Sequence, residues 1–315
     1  MKKILFISPR YDGGIGGHAN RLALKLKANN YDVEILKIPH LPIKNLKNIS
    51  FVIFGITKAI FLRKKYDIVH AFNLPSAFPM YFINSDKKIL AIHGAYAEQI
   101  GSIHSKKFFK IANFLESIVI KWPEIITTDS NFIKKYYENK YSVKINCIYA
   151  PLEFDRLKKI IVPEIKKNQI LFLGRDSYEK GIDILKKIES RINSHVVYCT
   201  NVTWETAMEM LSKSRILVVP SRMESIPQVI KEAFYFRVPV VATNVGGIGE
   251  IITHSKTGII VEPDNHEQLL NSINELINDE ELQKCISENA YKELIMKFSW
   301  DKLFEEYLKL YDFSN

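Results

Sequence analysis

Four charged residues in the second half of the chain have the types and spacing that chemistry needs. Arg175 and Lys180 flank one short turn, and Glu224 and Glu232 stand with seven residues between them. Arginine offers a planar fork and lysine a point charge, so the pair suits a diphosphate. A carboxylate such as Glu232 can accept from both hydroxyls of a ribose, as acidic residues do in dinucleotide sites. Pro227 suits the first turn of the helix that carries Glu232, because its missing N–H costs nothing there. That helix start adds free N–H groups and a positive dipole end for phosphate. The first half offers weaker signals: Gly16 and Gly17 in the run GGIGGH, and His93 at the end of an apolar run. GGIGGH is neither the GxGxxG fingerprint nor a P-loop, and a tight strand-to-helix turn uses glycines in the same way. A histidine at a strand end is also the place for a hydrogen-bonded core residue. Each of the four charged residues likewise has a purely structural alternative, in a solvated turn, a loop cap or a helix surface.

Short buried-type strands must hold these groups. In the first half they are read at Lys3–Ser8, Asp32–Lys37, Asp67–Phe72, Lys87–His93 and Glu124–Thr128, and Lys144–Tyr149 ends this half. Helices are expected after the glycine run (with Leu22, Leu24 and Leu26 apolar), over Phe51–Lys65, over Phe108–Trp122, and behind Asp129 or Ser130 as a cap. After a charged linker, Glu153–Lys167, strands are expected at Gln169–Gly174, His195–Cys199, Ile216–Val219, Val238–Ala242 and Gly258–Val261. Helices are expected over Gly181–Ile192 and Glu205–Ser214, from Pro227, behind Asp264 as a cap, and in the tail FSWDKLFEEYLKLY. Alternating strands and helices imply an α/β chain with two Rossmann-like, doubly wound parallel sheets, whose ligands sit at the carboxyl ends of the strands.

A length of 315 residues with 47% hydrophobic and 25% charged residues fits two ordinary globular domains. The start, MKKILFIS, lacks the features of a signal peptide. The longest apolar run, Phe51–Leu62, is interrupted by Lys58 and falls short of the ~20 residues a spanning helix needs. Cys147, Cys199 and Cys285 have neither metal-site nor redox-pair spacing, which points to a reducing cytoplasm. Residues 1–150 carry 23 Lys and Arg against 10 Asp and Glu, whereas residues 151–315 carry 21 against 25. The basic half is either a solvated lysine-rich surface or a face for an anionic acceptor or membrane leaflet. The basic residues are scattered and no groove-reading motif is present, so nucleic acid is not expected as a partner.

LGRDSYEKG, VVPSRMESIPQVIKEA, VPVVATNVGGIGE and GIIVEPDN occur in that order, and in this order and spacing the chain resembles glycosyltransferases of the GT-B fold, family 4 (glycosyl transferases group 1). The resemblance implies two domains facing across a cleft: 1–152 on the acceptor side, 153–296 for the nucleotide-sugar, and a helix over 297–315 crossing back. It implies a retaining, metal-independent hexosyltransferase with no cofactor. Arg175 and Lys180 would hold the donor diphosphate and stabilise the leaving charge, Glu232 the ribose diol, and Glu224 the transferred sugar. Ser225, Ile226, Gln228 and Val229 would supply backbone contacts, Gly16 and Gly17 a close approach to phosphate, and His93 a contact over the donor sugar. The catalytic set is thus Glu224, His93, Arg175 and Lys180. The implied partners are a nucleotide-diphosphate sugar, a glycan or lipid-linked acceptor and an anionic membrane, on the cytoplasmic side. No DxD motif is present to hold a metal. Where the family has glycine, aromatic and glycine after the first glutamate, this chain has Ser225, Ile226 and Pro227, and Gly249 replaces a common proline. Only one helix fits between His195–Cys199 and Ile216–Val219, so Thr200–Trp204 is a candidate lining for the base pocket. Two other readings remain open: a non-catalytic nucleotide-sugar-binding subunit, and an NAD-dependent oxidoreductase without its fingerprint.

Overall fold

The apolar runs form two separate parallel sheets, one in each of two units, Met1–Ile148 and Tyr149–Asn315. The computed structural model describes residues 2–9, 14–43, 46–103, 106–164 and 166–312, with 102 and 103 in backbone only. The opening of the expected glycine loop, 10–13, and the last three residues of the tail lie outside the described residues.

In the first unit the elements run β1 (Lys3–Pro9), α1 (Gly14–Ala28), β2 (Asp32–Ile38), α2 (Lys47–Phe61), β3 (Tyr66–Ala71), α3 (Ala77–Phe82), β4 (Ser85–Ile92), α4 (Tyr96–Ile103), α5 (Lys106–Val119), β5 (Ile125–Thr128), α6 (Asn131–Tyr141) and β6 (Ile145–Cys147). The strand order is β2-β1-β3-β4-β5-β6. The β1–β2 connection runs sideways in the opposite direction to the four that follow. Right-handed crossovers therefore put α1 on one face of the sheet and α2 to α6 on the other. The strand pleat agrees: Leu5 and Ile7 pack in one core with Phe51 and Ala59 of α2, while Ile4 and Phe6, pointing the other way, do not belong to that core.

Several boundaries differ from expectation. Helix α2 begins and ends four residues early, because its C-cap Leu62 is already extended and Tyr66 enters β3. Helices α3 and α4 were not expected. Gly16 and Gly17 do not precede a helix; they are buried within α1 itself. Leu24 is 67% exposed, whereas Leu22 and Leu26 are buried. Ser130, not Asp129, caps α6, accepting from the Ile133 N–H at 3.2 Å.

In the second unit the order is α7 (Phe154–Leu157), β7 (Lys167–Leu173), α8 (Ile182–Ile188), β8 (His195–Cys199), α9 (Trp204–Lys213), β9 (Ser214–Val219), α10 (Gln228–Tyr235), β10 (Val240–Thr243), α11 (Ile248–Ile251), β11 (Ile259–Val261), α12 (His266–Asn278), α13 (Glu280–Phe298) and α14 (Trp300–Tyr311). The sheet order is β11-β10-β9-β7-β8, with α9 the one helix between β8 and β9. The helix expected over Gly181–Ile192 is broken into a left-handed Gly181, α8 and a 3-10 turn, Glu189–Arg191, and another 3-10 turn, Tyr178–Lys180, precedes it. Asp264 is not the cap of α12: Asn265 is, its side chain accepting from the Gln268 N–H. Lys231 of α10 is fully buried, its Nζ donating to the Ala150 carbonyl at 2.6 Å and lying over the Phe298 ring.

Candidate active site

In the second unit, the loop from Pro220 to Pro227 joins β9 to α10 and is held from both sides by glycines. Gly181 has φ +66°, and a Cβ built on it would stand 1.9 Å from the Pro220 carbonyl oxygen. Gly246, φ +58°, would place a Cβ 1.8 Å from the Glu224 carbonyl oxygen. Only glycine combines that backbone with that approach. Main-chain bonds complete the clamp: Arg222 N–H donates to Glu179 O at 2.8 Å, and Gly247 N–H to Ser225 O at 2.7 Å. Thr243 Oγ1, at the end of β10, donates to the Ser221 carbonyl.

Lys180 and Glu224 meet on this frame. Lys180 Nζ lies 2.7 Å from Glu224 Oε1, and Ser221 Oγ donates to the same oxygen at 2.8 Å. Both charged groups are largely screened from solvent, with Glu224 9% exposed. A charge-assisted bond in such a place fixes the ammonium in direction as well as position. Arg175 is not drawn into this pair: its guanidinium is 74% exposed and sits 3.1 Å from Glu179. Glu232, on α10, accepts from the Trp204 indole at 2.9 Å, and the Arg156 guanidinium stacks 3.8 Å over the Trp204 ring. Pro227 is the N-cap of α10 and precedes its first turn, so the N–H groups of Gln228 and Val229 have no carbonyl to bond within the helix. Ser225 is buried, and the Ile226 side chain belongs to the core of the unit, which leaves its main chain as the part able to reach a ligand.

One arginine that sequence reasoning passed over organises three loops. Arg222 makes a two-pronged contact with Asp183 at 2.7 and 2.8 Å, a third with Asp264 at 2.8 Å, and stacks 4.2 Å over the Tyr178 ring. The bonded guanidinium holds the Asp183 carboxyl below the usual aspartate range, and the same carboxylates raise the arginine further. Ser221 and Trp204 were also missed as partners of the two glutamates, although Trp204 ends the Thr200–Trp204 stretch.

In the first unit, His93 follows β4, and its Nδ1 lies 3.1 Å from Asp129 Oδ2. Its Nε2 is buried with no hydrogen-bond partner among the described residues. The His18 ring, one residue beyond Gly17, stands 6.1 Å from the His93 ring. His70 is fully buried against Phe72, and burial first, then the charge on His93, lowers its pKa to about 3. The sequence offered Asp129 as a cap; its pairing with His93 needs the β4–β5 neighbourhood of the sheet. Among the described residues no group of three or more His, Cys, Asp or Glu is placed to hold a metal ion.

Two parallel α/β sheets in tandem, with charged groups at the strand ends of the second, are the architecture of the GT-B fold. The family model "Glycosyl transferases group 1" matches residues 186–293. An uncharacterized glycosyltransferase of Methanocaldococcus jannaschii is 31% identical over 96% of this chain and 95% of its own length. A capsular polysaccharide biosynthesis glycosyltransferase of Staphylococcus aureus is 30% identical over 49% of this chain and 40% of its own. Sucrose-phosphate synthase from Thermosynechococcus elongatus shares the fold at TM-score 0.85, with 16% identity over 99% of this chain and 98% of that one. The Anabaena protein HepE, solved with UDP and glucose, does so at 0.75, with 15% identity over 98% and 99%. The chain belongs to the glycosyl transferases group 1 family and is a GT-B glycosyltransferase, an enzyme of nucleotide-sugar-dependent sugar transfer.

Proposed function

We propose that this enzyme transfers a hexose with retention, without a metal, from a nucleotide-diphosphate sugar to a glycan or lipid-linked acceptor at the inner face of a membrane. The observation that carries the reading is the Lys180–Glu224 contact of 2.7 Å at the ends of β7 and β9. In the reaction the bond from sugar C1 to the diphosphate oxygen breaks, and a bond from C1 to an acceptor oxygen forms. The acceptor proton passes to the leaving phosphate. Positive charge grows at C1 while negative charge grows on the diphosphate. Glu224 answers the first and Lys180 the second, and fixed charges of this kind are the largest lever available to such an enzyme. Arg175 joins Lys180 on the diphosphate by turning from Glu179. The α10 N-terminus adds N–H groups for phosphate. Glu232, steadied by Trp204, accepts from the ribose hydroxyls, and His93, aimed by Asp129, contacts the donor sugar. Gly16 and Gly17, having no side chain, let the α1 backbone come close to the phosphate.

HepE was solved with UDP-glucose as well as with UDP and glucose, so UDP-sugars come first in a thermal-shift screen that continues with GDP- and ADP-sugars. The stabilising donor is then tried in transfer and hydrolysis assays with and without EDTA. Equal, background-level turnover by wild type and Glu224→Ala would defeat the catalytic reading in favour of a binding subunit. Loss of activity in EDTA would defeat metal independence.

A further inference from the structure

Helix α5 is built inside out. Its one acidic residue, Glu116, is fully buried, accepting from Tyr137 Oη at 2.5 Å and Tyr141 Oη at 2.7 Å, and lying 3.1 Å from Lys140 Nζ. Turned outward are Phe108, Ile111, Phe114, Leu115 and Ile118, with Phe114 65% exposed. Four of them recur at helical spacing, so they form a stripe rather than scattered contacts. Lys106, Lys107 and Lys110 are exposed with them. Helix α2 repeats the design with Ile49, Ile53, Ile60 and Phe61 exposed, Lys47 and Lys58 beside them, and no acidic residue in its length. The crossover argument places both helices on one face of the first sheet. Helix α3 lies between, packing on α2 and setting Tyr81 4.8 Å from Trp122, just beyond α5.

A surface helix in water turns its apolar stripe to the core. An outward stripe mixed only with lysines is the pattern of a helix lying in a lipid interface. Among the described residues no helix is long and apolar enough to cross a membrane. A second copy of the chain is a poor occupant, since it would bring lysine against lysine with no exposed carboxylate on α2 or α5 to pair with them. Anionic headgroups supply the missing charge, and acyl chains take the phenylalanine and isoleucine side chains. We propose that the α2–α5 face beds into the headgroup region of a bilayer containing anionic phospholipid. Only the link to a lipid-linked acceptor rests on the function proposed above; the binding itself does not.

The test is sedimentation of the full chain with vesicles of phosphatidylcholine alone or mixed with phosphatidylglycerol, at low and high salt. Wild type is expected to partition onto the mixed vesicles at low salt and to be released by salt. The double variant Ile111→Gln/Phe114→Gln should partition at least about tenfold more weakly. Leu24→Gln, an exposed site on the opposite face, should bind like wild type, and all three proteins should melt alike. Equal binding to neutral vesicles, binding to neither, or equal binding by the double variant would overturn the proposal. So would a concentration-dependent dimer that the double variant abolishes. Vesicle binding without stabilisation by any nucleotide-sugar would sink the proposed function and leave this inference standing.

Discussion

Replacing Gly246 by alanine moves Glu224 without touching its side chain. The new Cβ would start 1.8 Å from the Glu224 carbonyl oxygen, where real contacts keep at least 3.0 Å, so the Glu224 backbone must retreat by at least 1.2 Å. The left-handed φ adds about 1–2 kcal/mol for any residue with a Cβ. With the displaced loop we expect a loss of about 2 kcal/mol or more, or roughly 4–8 °C in Tm for a unit of this size. Catalysis should suffer more, because a ~1 Å misplacement of a reacting group costs on the order of 100-fold. Gly249→Ala is the control: its φ is ordinary, its added Cβ would meet only Asn244 Oδ1 at 3.6 Å, and it lies within α11. Alanine there should be neutral or gain up to about 1 kcal/mol. The measurements are thermal melting and kcat with the donor found by thermal shift. A Gly246→Ala enzyme within about threefold of wild-type kcat would refute the claim that this loop must stand where it does.

Three further outcomes are expected. Lys180→Ala should lower kcat/KM at least about tenfold, a loss of ~1.4 kcal/mol in transition-state stabilisation, and an unchanged value would remove the leaving-group role. Trp204→Phe keeps the ring under Arg156 but deletes the indole donor to Glu232. Donor KM should rise about 2- to 10-fold with kcat retained, and a change confined to kcat would contradict the ribose assignment. His70 stays neutral when folded down to about pH 3 but takes up a proton near 6.5 when unfolded. The unfolded state therefore binds more protons as pH falls, and stability should drop by about 2 kcal/mol between about pH 7 and about pH 5. Denaturant unfolding of His70→Phe should show a flatter pH dependence; an identical slope would mean other groups carry the effect.

Ten of the eleven strands among the described residues were legible from apolar runs, most clearly the central ones such as β1 and β9, since a parallel strand buried on both faces has no polar side to confuse the pattern. Helix α13 was not read at all: EELQKCISENAYKELIMKF is polar for most of its length and buries only Ile286, Ser287, Ala290, Leu294 and Phe298. Asp264 read as a cap because aspartate favours that role, but its left-handed backbone and its contact with Arg222 give it another. In the site, Lys180 and Glu224 were visible as separate charges. Their contact spans 44 residues, and those of Arg222 span 39 and 42, distances that no local periodicity encodes. Gly246 stood as one letter of the motif VPVVATNVGGIGE. What it touches became clear only when β9 and β10 were set side by side.

The loop after Glu224 has no glycine in Ser225, Ile226 and Pro227, and all three sit at ordinary negative φ. The conformational freedom such a loop requires lies with its neighbours, Gly181 on one side and Gly246 on the other. A lineage that holds those two glycines constant is then at liberty to rewrite the letters between them without relocating the main chain. Diversification should accordingly run through the polar side chains Ser225 and Gln228, which lie outside the apolar cluster, and spare Ile226, which is part of it. A mutational library aimed at new donors is best confined to the same two positions.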